Sequence, residues 1–358
     1  MVMRRGSCGV SVRVTVILGV AVVLCVGGGF RVEDSRGQHR DFHDREGGMP
    51  PSIQALAMTD DGRLYAGSFG FGVFVSRDRG ETWGSINIGL DDRFILCLSA
   101  DEHGTVYAGT VRGGVFRTRE DGTTWEPMKD GLRSLEVKSL LSRHGTLYAG
   151  TGNGVYRFDE TARRWGVMAT GLEQMLVTSL VVTHDRYLFA GTAGQGLYRI
   201  ATAGTGGVGW EKVGDPLVDP KERLTHTYIR VTAVSPDHQM YVGTLDGGVY
   251  RSRDAGKTWR PVGRSLPNDS IRGIVATASA LYVATGRGVF KNTLQDTAWE
   301  SVNEGLTELS VQVLIGSPQG ALYVGTSAGA FRSQDAGMHW VNISDTLGRY
   351  RSIPRPYF

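Results

Sequence analysis

The sequence predicts an all-β protein, a seven-bladed β-propeller of four-stranded antiparallel blades. Three observations predict it. A Tyr-Ala-Gly-Thr-like segment recurs seven times, with its aromatic at Tyr65, Tyr107, Tyr148, Phe189, Tyr241, Tyr282 and Tyr323. The intervals are 42, 41, 41, 52, 41 and 41 residues. The chain holds seven tryptophans, Trp83, Trp125, Trp165, Trp210, Trp259, Trp299 and Trp340, and all share one phase of the repeat. Glycine supplies 51 of 358 residues, about twice ordinary usage, and no stretch has the apolar periodicity of a long helix.

The elements follow in chain order. Arg4, Arg5 and Arg13 precede an uncharged apolar run, Val14 to Val26, and then Gly27, Gly28 and Gly29. This is the order of a secretory signal, expected over 1–29. The run is short for a bilayer span, so an uncleaved anchor is the second reading. Lipidation at Cys25 is a third, weakened by Leu24, which is not the small residue such a site wants. Removing 1–29 takes three arginines and no acid, leaving 36 basic against 36 acidic groups. That balance gives no footprint for nucleic acid. It also leaves Cys97 as the single cysteine, inside the apolar run Phe94 to Leu98, where it reads as a small core residue. Residues 30–51 are polar, of mixed charge, and end in Gly47-Gly48 and Pro50-Pro51, as a flexible linker would. His39 and His43 fall there, too loosely placed for a metal site.

The repeats occupy 52–343, and 344–358 is left as a C-terminal tail. Each unit reads as an apolar strand such as Val177 to Val181, a polar turn, and the Tyr-Ala-Gly strand. A Gly-rich turn follows, then a Gly-Val-Phe-Arg-like strand such as Gly114 to Arg117, a further turn and the Trp strand. One such sheet cannot cover both its faces. Seven around an axis cover one another, and a period near 40–45 residues is that of a propeller blade. A linear β-solenoid is the alternative architecture, but its repeats are usually shorter.

The turn before the tryptophan is the most specific motif. Ser76-Arg77-Asp78-Arg79-Gly80-Glu81-Thr82-Trp83 and Ser252-Arg253-Asp254-Ala255-Gly256-Lys257-Thr258-Trp259 fit Ser-x-Asp-x-Gly-x-Thr-Trp in full. Thr118 to Trp125 fits with Thr118 and Glu120 replacing Ser and Asp. Ser333 to Trp340, with Asp335 and Gly337, fits with His339 replacing Thr. Blades three, four and six lack the motif. The pattern resembles the Asp-box, or BNR, repeat of sialidases, sortilin-type receptors, xyloglucan-active glycosidases and photosystem II assembly propellers. The resemblance implies a propeller, and it leaves open both a glycosidase and a binding or assembly module. In physical terms the box is a turn, with Asp accepting backbone N–H groups, Gly taking a positive φ and Trp covering the hairpin. Ser76, Asp78, Gly80, Trp83, Ser252, Asp254, Gly256, Trp259, Asp335, Gly337 and Trp340 are thus expected to be structural.

A catalytic set is harder to find. Arg117, Arg157, Arg199, Arg251 and Arg332 hold one repeat position, one per blade, and should stand far from the axis and apart. The sialidase Arg-Ile-Pro motif is missing from the first blade. Asp91, Asp92, Glu136, Glu173, Asp269 and Glu308 lie in inter-blade connections, and a glycosidase needs two carboxylates within ~5–10 Å. His103, His144 and His238 share a turn position on different blades and read as polar turn residues. No catalytic residue, metal or cofactor is expected.

A ligand is expected at the mouth of the central channel. There the second position of each innermost strand reads Gln54, Leu96, Lys138, Thr178, Thr232, Arg272 and Gln312. Lys138 and Arg272 are the fixed charges of this set, so an anionic or hydrogen-accepting group is favoured. The interval of 52 marks insertions at Ala201 to Gly207 and Asp215 to Tyr228, candidates for a binding loop. The expectation is an exported, monomeric, non-catalytic scaffold for a protein or glycan. A carbohydrate-active hydrolase is the alternative.

Overall fold

The computed structural model describes residues 50–118, 123–184, 186–202, 209–213, 227–263, 266–293 and 298–348. The expected signal and nearly all of the linker lie outside these residues. So do Glu120, most of both insertions and the end of the tail.

The described residues contain no helix. They form seven four-stranded antiparallel sheets, each a simple meander of consecutive strands, arranged as a seven-bladed β-propeller. The innermost strands are Ile53–Met58, Ile95–Ala100, Val137–Arg143, Val177–Val182, Ile229–Val234, Ile271–Ala276 and Val311–Gly316. Each lies beside the innermost strand of the next blade, and the seventh lies beside the first. Polar turns separate runs of β-branched and aromatic residues, so local propensity and pattern agree throughout.

Glycine in the second strand sets the spacing between blades. A Cβ added to Gly67 would lie 2.5 Å from Ile95 Cγ2, and one on Gly243 would lie 2.5 Å from Ile271 Cγ2. Gly150 faces Val177 at 2.7 Å, Gly191 faces Ile229 at 2.5 Å and Gly109 faces Val137 at 2.8 Å. The absent side chain is the slot into which the next blade's first residue fits. Those residues, Ile95, Val137, Val177, Ile229 and Ile271, are fully buried. Blade six inverts the pair, with Gly273 on the innermost strand opposite Ala284 on the second.

Tryptophan fastens the rim. The indole was expected to close over its own hairpin, yet in five blades its Nε1–H donates to the preceding blade. Trp125 bonds Ile86 O at 2.5 Å, Trp165 bonds Met128 O at 2.7 Å and Trp299 bonds Val262 O at 3.2 Å. Trp340 bonds Val302 O at 2.8 Å, and Trp83 bonds Ile343 O at 2.7 Å. In these five blades a large buried or half-buried ring has its one polar atom satisfied across the interface. Trp259 instead bonds Gly256 O inside its own box, and Trp210 Nε1 is buried without a partner among the described residues.

The ring closes with no strand exchanged between the chain ends. Blade one is wholly 53–85 and blade seven wholly 311–342. Their junction repeats the contacts found elsewhere: Gly325 takes Ile53 at 2.6 Å, and Trp83 bonds Ile343. The expected tail begins too early. Leu347 is 3% exposed in the cluster of Ile53 and Trp83, and Thr346 Oγ1 accepts Trp83 N–H at 2.8 Å. Leu347 stands where the other blades place Leu90, Leu132, Leu172 and Leu306, so the repeat runs on to it.

Gly243→Ala should therefore lower stability by about 1–3 kcal/mol through overpacking against Ile271. Gly166→Ala, with nothing within 4 Å of the added carbon, should leave the denaturation midpoint nearly unchanged. Chemical denaturation of the two variants side by side checks this, and equal losses would refute the slot.

Candidate functional site

The second residue of every innermost strand is a β-bulge. Pairing skips from Ile53 to Ala55, from Ile95 to Cys97 and from Val137 to Ser139. It skips likewise from Val177 to Ser179, Ile229 to Val231, Ile271 to Gly273 and Val311 to Val313. The seven skipped residues are Gln54, Leu96, Lys138, Thr178, Arg230, Arg272 and Gln312, all half-buried. Bulges re-aim side chains and free backbone groups. The innermost strands run in one direction around the axis, so these seven stand at one end of the channel.

Blade five corrects the expectation. Thr232 is not a mouth residue. It pairs with Val242, the register that Leu56, Leu140, Leu180, Ile274 and Leu314 hold in other blades. Its hydroxyl is buried without a partner among the described residues. The mouth residue is Arg230. Sequence reading missed it because Val231-Thr232-Ala233-Val234 imitates the apolar-x-small-apolar pattern two residues late.

The remaining mouth residues differ in what they have left to offer. Lys138 Nζ is 3.1 Å from Glu136 Oε1, so its charge is matched. Thr178 Oγ donates to the carbonyls of Gly191 and Ile229. Gln54 Nε2 donates to Ser52 Oγ at 2.8 Å, and Gln312 Nε2 to Ser310 Oγ at 3.2 Å. Arg230 Nη1 donates to Ser270 Oγ at 3.2 Å. Arg272 Nη1 donates to Val311 O at 3.0 Å and Ser310 Oγ at 3.3 Å, while its Nε is buried and unpartnered. Neither arginine has a carboxylate within ion-pair distance among the described residues. Burial pulls both guanidinium pKa values down, and the charge of Arg230 adds to the effect on Arg272. The fixed charges therefore sit together on blades five and six, not across the ring as Lys138 and Arg272 would.

The same face carries exposed aromatics on blades one and two. Phe69 is 47% exposed, Phe71 51% and Phe94 40%, with Ile88 at 70% in the following connection. Phe69 and Phe94 meet edge to face at 4.9 Å. Asn87 Nδ2 holds Phe71 O at 2.9 Å, and Ser68 Oγ accepts Phe71 N–H at 3.1 Å, so the loop is built rather than slack. The described end of the longer insertion reaches this face too, where Thr227 O accepts Gly196 N–H at 2.9 Å.

Several of the residues considered for catalysis are engaged elsewhere. Asp92 accepts the N–H groups of Phe94, Arg112 and Gly113. Glu308 accepts Ser310 N–H, and Glu173 accepts Gly171 N–H. Arg117 pairs with Glu126 at 3.1 Å and Glu160 at 3.5 Å, Arg199 with Glu211 at 3.0 Å, and Arg332 with Glu81 at 2.8 Å. Glu160 and Glu81 belong to the next blade, so Arg117 and Arg332 stitch the rim, while Arg199 and Glu211 pair within one blade. His144 and His238 take left-handed turns at φ 51° and 65°. His238 stacks on His184 of blade four at 4.5 Å. The Cys97 thiol donates to Val137 O, and burial pushes its pKa up to about 12, far from a nucleophile's.

The boxes share one geometry. In blade five Ser252 Oγ donates to Asp254 Oδ1 at 2.8 Å and accepts Gly256 N–H at 2.9 Å. Asp254 accepts Thr258 N–H at 2.8 Å and its hydroxyl at 2.6 Å. Ser76 and Asp78, and Ser333 and Asp335, repeat these bonds. The serine is the buried member and the carboxylate is half-exposed. Two consecutive residues take positive φ, Arg79-Gly80, Ala255-Gly256 and Ala336-Gly337, where one glycine was expected. Hydrogen bonds hold the Asp78 and Asp254 carboxyls below their usual pKa, against burial. Asp335 falls to about 2, held first by His339 N–H and then by the His339 ring.

No family model matches the sequence, and no curated protein does. Solved structures do. The extracellular domain of a putative hybrid two-component system from B. thetaiotaomicron superposes with a TM-score of 0.65 at 18% identity, over 78% of this chain and 38% of that one. YCF48 bound to D1 peptide gives 0.61 at 15% identity, over 79% and 93%. An ancestral GH74 enzyme gives 0.65 at 14% identity, over 83% and 47%. The chain thus spans less than half of the first and third. Likeness at this identity extends to the fold.

Two outcomes follow for the boxes. Asp254→Ala should cost about 1–3 kcal/mol by stranding turn N–H groups, read as a lower melting temperature. His339 has a raised pKa from its contact with Asp335. Its contribution is therefore full below its ordinary value of 6.5 and lost as pH rises through the raised folded value. The melting-temperature advantage of wild type over His339→Thr should shrink across that window. An advantage that grows with pH would reverse the assignment.

Proposed function

We propose that the chain is an exported Asp-box propeller that acts without catalysis and holds a protein partner on the channel-mouth face. The observation that carries this is the pairing on one face of exposed Phe69, Phe71 and Phe94 with two arginines that have no carboxylate partner among the described residues. Exposed phenylalanines fixed by hydrogen-bonded loops offer apolar area and no polar handle, which suits a protein surface better than a sugar. The leading apolar segment supports export. The extracellular setting of one structural neighbour and the peptide bound to another point the same way.

The glycosidase alternative draws on the GH74 neighbour. It needs a carboxylic acid whose pKa is raised. Among the described residues, where carboxylate pKa values move, they move down: Asp61, Asp78, Glu173, Asp237, Asp254 and Asp335. Among the connecting carboxylates, Asp92, Glu173 and Glu308 serve turns and Glu136 pairs with Lys138.

Cross-linked capture from the cell envelope tests the reading. The Phe71→Ser, Ile88→Ser double variant should lose the captured protein by at least about tenfold with an unchanged melting temperature. Equal capture, or glycan hydrolysis by the purified protein, would overturn it.

A further inference from the structure

The end of the channel opposite the mouth holds a contact between two histidines. His184 lies in the turn after the innermost strand of blade four, Val177–Val182, and His238 in the turn after that of blade five, Ile229–Val234. Turn histidines on different blades were expected to stand apart. These two rings lie 4.5 Å apart between centroids, tilted by 38°. We propose that His184 and His238 together bind a divalent transition-metal ion, of the copper, nickel and zinc class, across the boundary of blades four and five. Two imidazoles on one such ion, with metal–nitrogen bonds of about 2.0–2.1 Å at angles of about 90–110°, place their centroids about 4.5–5.2 Å apart. The separation in this structure stands at the near end of that span, and the tilt departs from flat parallel stacking.

Hydrogen-bonded turns hold both residues. Thr183 N–H donates to Tyr187 O at 2.9 Å and Arg186 N–H to Thr183 O at 3.0 Å, on either side of His184. His238 N–H donates to Ser235 O at 2.9 Å, and its φ of 65° is a left-handed conformation that few side chains adopt. Both residues are exposed, so an ion reaches them from solvent. Imidazole suits copper, nickel and zinc, whereas magnesium and calcium want oxygen ligands. No third His, Cys, Asp or Glu completes a cluster among the described residues, so water fills the remaining positions. A structural zinc site uses four protein ligands; with two, this one exchanges its ion. The location gives the ion a structural effect. Trp259 bonds Gly256 O in its own blade, so the boundary of blades four and five lacks the indole bond that five other boundaries have. An ion joining His184 to His238 clips that boundary on the channel side.

The test titrates Cu²⁺, Zn²⁺ and Mg²⁺ separately into the purified chain, freed of metal with a chelator, at neutral pH. A His39→Gln, His43→Gln background removes the histidine pair of the leading segment. Copper should bind more tightly than zinc, and magnesium should not compete with either. Electron spin-echo modulation of the bound Cu²⁺ should show two imidazoles. Zinc should raise the melting temperature, because it binds the folded chain alone. His184→Gln and His238→Asn should each weaken binding by at least about tenfold and abolish the zinc-dependent rise. Asparagine accepts the left-handed turn, so the metal-free melting temperature of His238→Asn should match that of the background chain. Undiminished affinity in either variant, a single imidazole on the copper, or a melting temperature unmoved by zinc would overturn the proposal.

Discussion

Six missing side chains hold this ring together. At Gly67, Gly109, Gly150, Gly191, Gly243 and Gly325 a Cβ would fall within 2.8 Å of a side-chain atom of the next blade's first residue. The β-branched or valine side chain that fills each slot is fully buried. The slot brings neighbouring sheets close enough for dispersion and desolvation to act over the whole contact. Glycine in a strand loses entropy on folding and packs nothing of its own. Its presence here makes sense only through what the neighbour gains. The cross-blade tryptophan bonds and the pairs of Arg117 with Glu160 and Arg332 with Glu81 depend on this inner fit, since the partners reach one another only when the blades stand at that separation.

The bulges follow from the same crowding. Where seven strands converge, each strand departs from regular pairing at one residue, and the freed backbone becomes useful. Val137 O accepts from Cys97, Ile229 O from Thr178 and Val311 O from Arg272, each across a blade boundary. A polar side chain at a bulge thus has two calls on it, one from the neighbouring backbone and one from the channel. Thr178 is consumed by the first. Arginine is long and many-toothed enough to answer both, and the two at this position stand on blades five and six.

The sevenfold repeat, the strand order and the box were legible in the sequence because each leaves a residue at a fixed phase. The mouth was only partly legible. Gln54, Lys138, Thr178, Arg272 and Gln312 fall where the pattern puts them. Arg230 escaped because blade five carries Thr232 where the others have a large apolar residue. The register of the bulge, not the pattern of hydrophobicity, decides which residue faces the channel. The pairing of Lys138 with Glu136, and the neighbourhood of Arg230 and Arg272, are tertiary facts that spacing along the chain does not encode. Neither does the aromatic face, since Phe69 and Phe94 lie in different blades. The direction of the tryptophan bond also needed the structure, because a hairpin and its neighbour both offer carbonyls at the right distance along the repeat.

Closure without strand exchange has a consequence for the chain as a whole. The seam between blades seven and one is made of the glycine slot found at five internal boundaries and the tryptophan bond found at four. Nothing in the ring marks where it begins. Joining residue 348 to residue 50 by a short linker and opening the chain at another connection would leave every sheet contiguous. The present order of the blades is thus one of seven cyclic orders that keep every sheet contiguous.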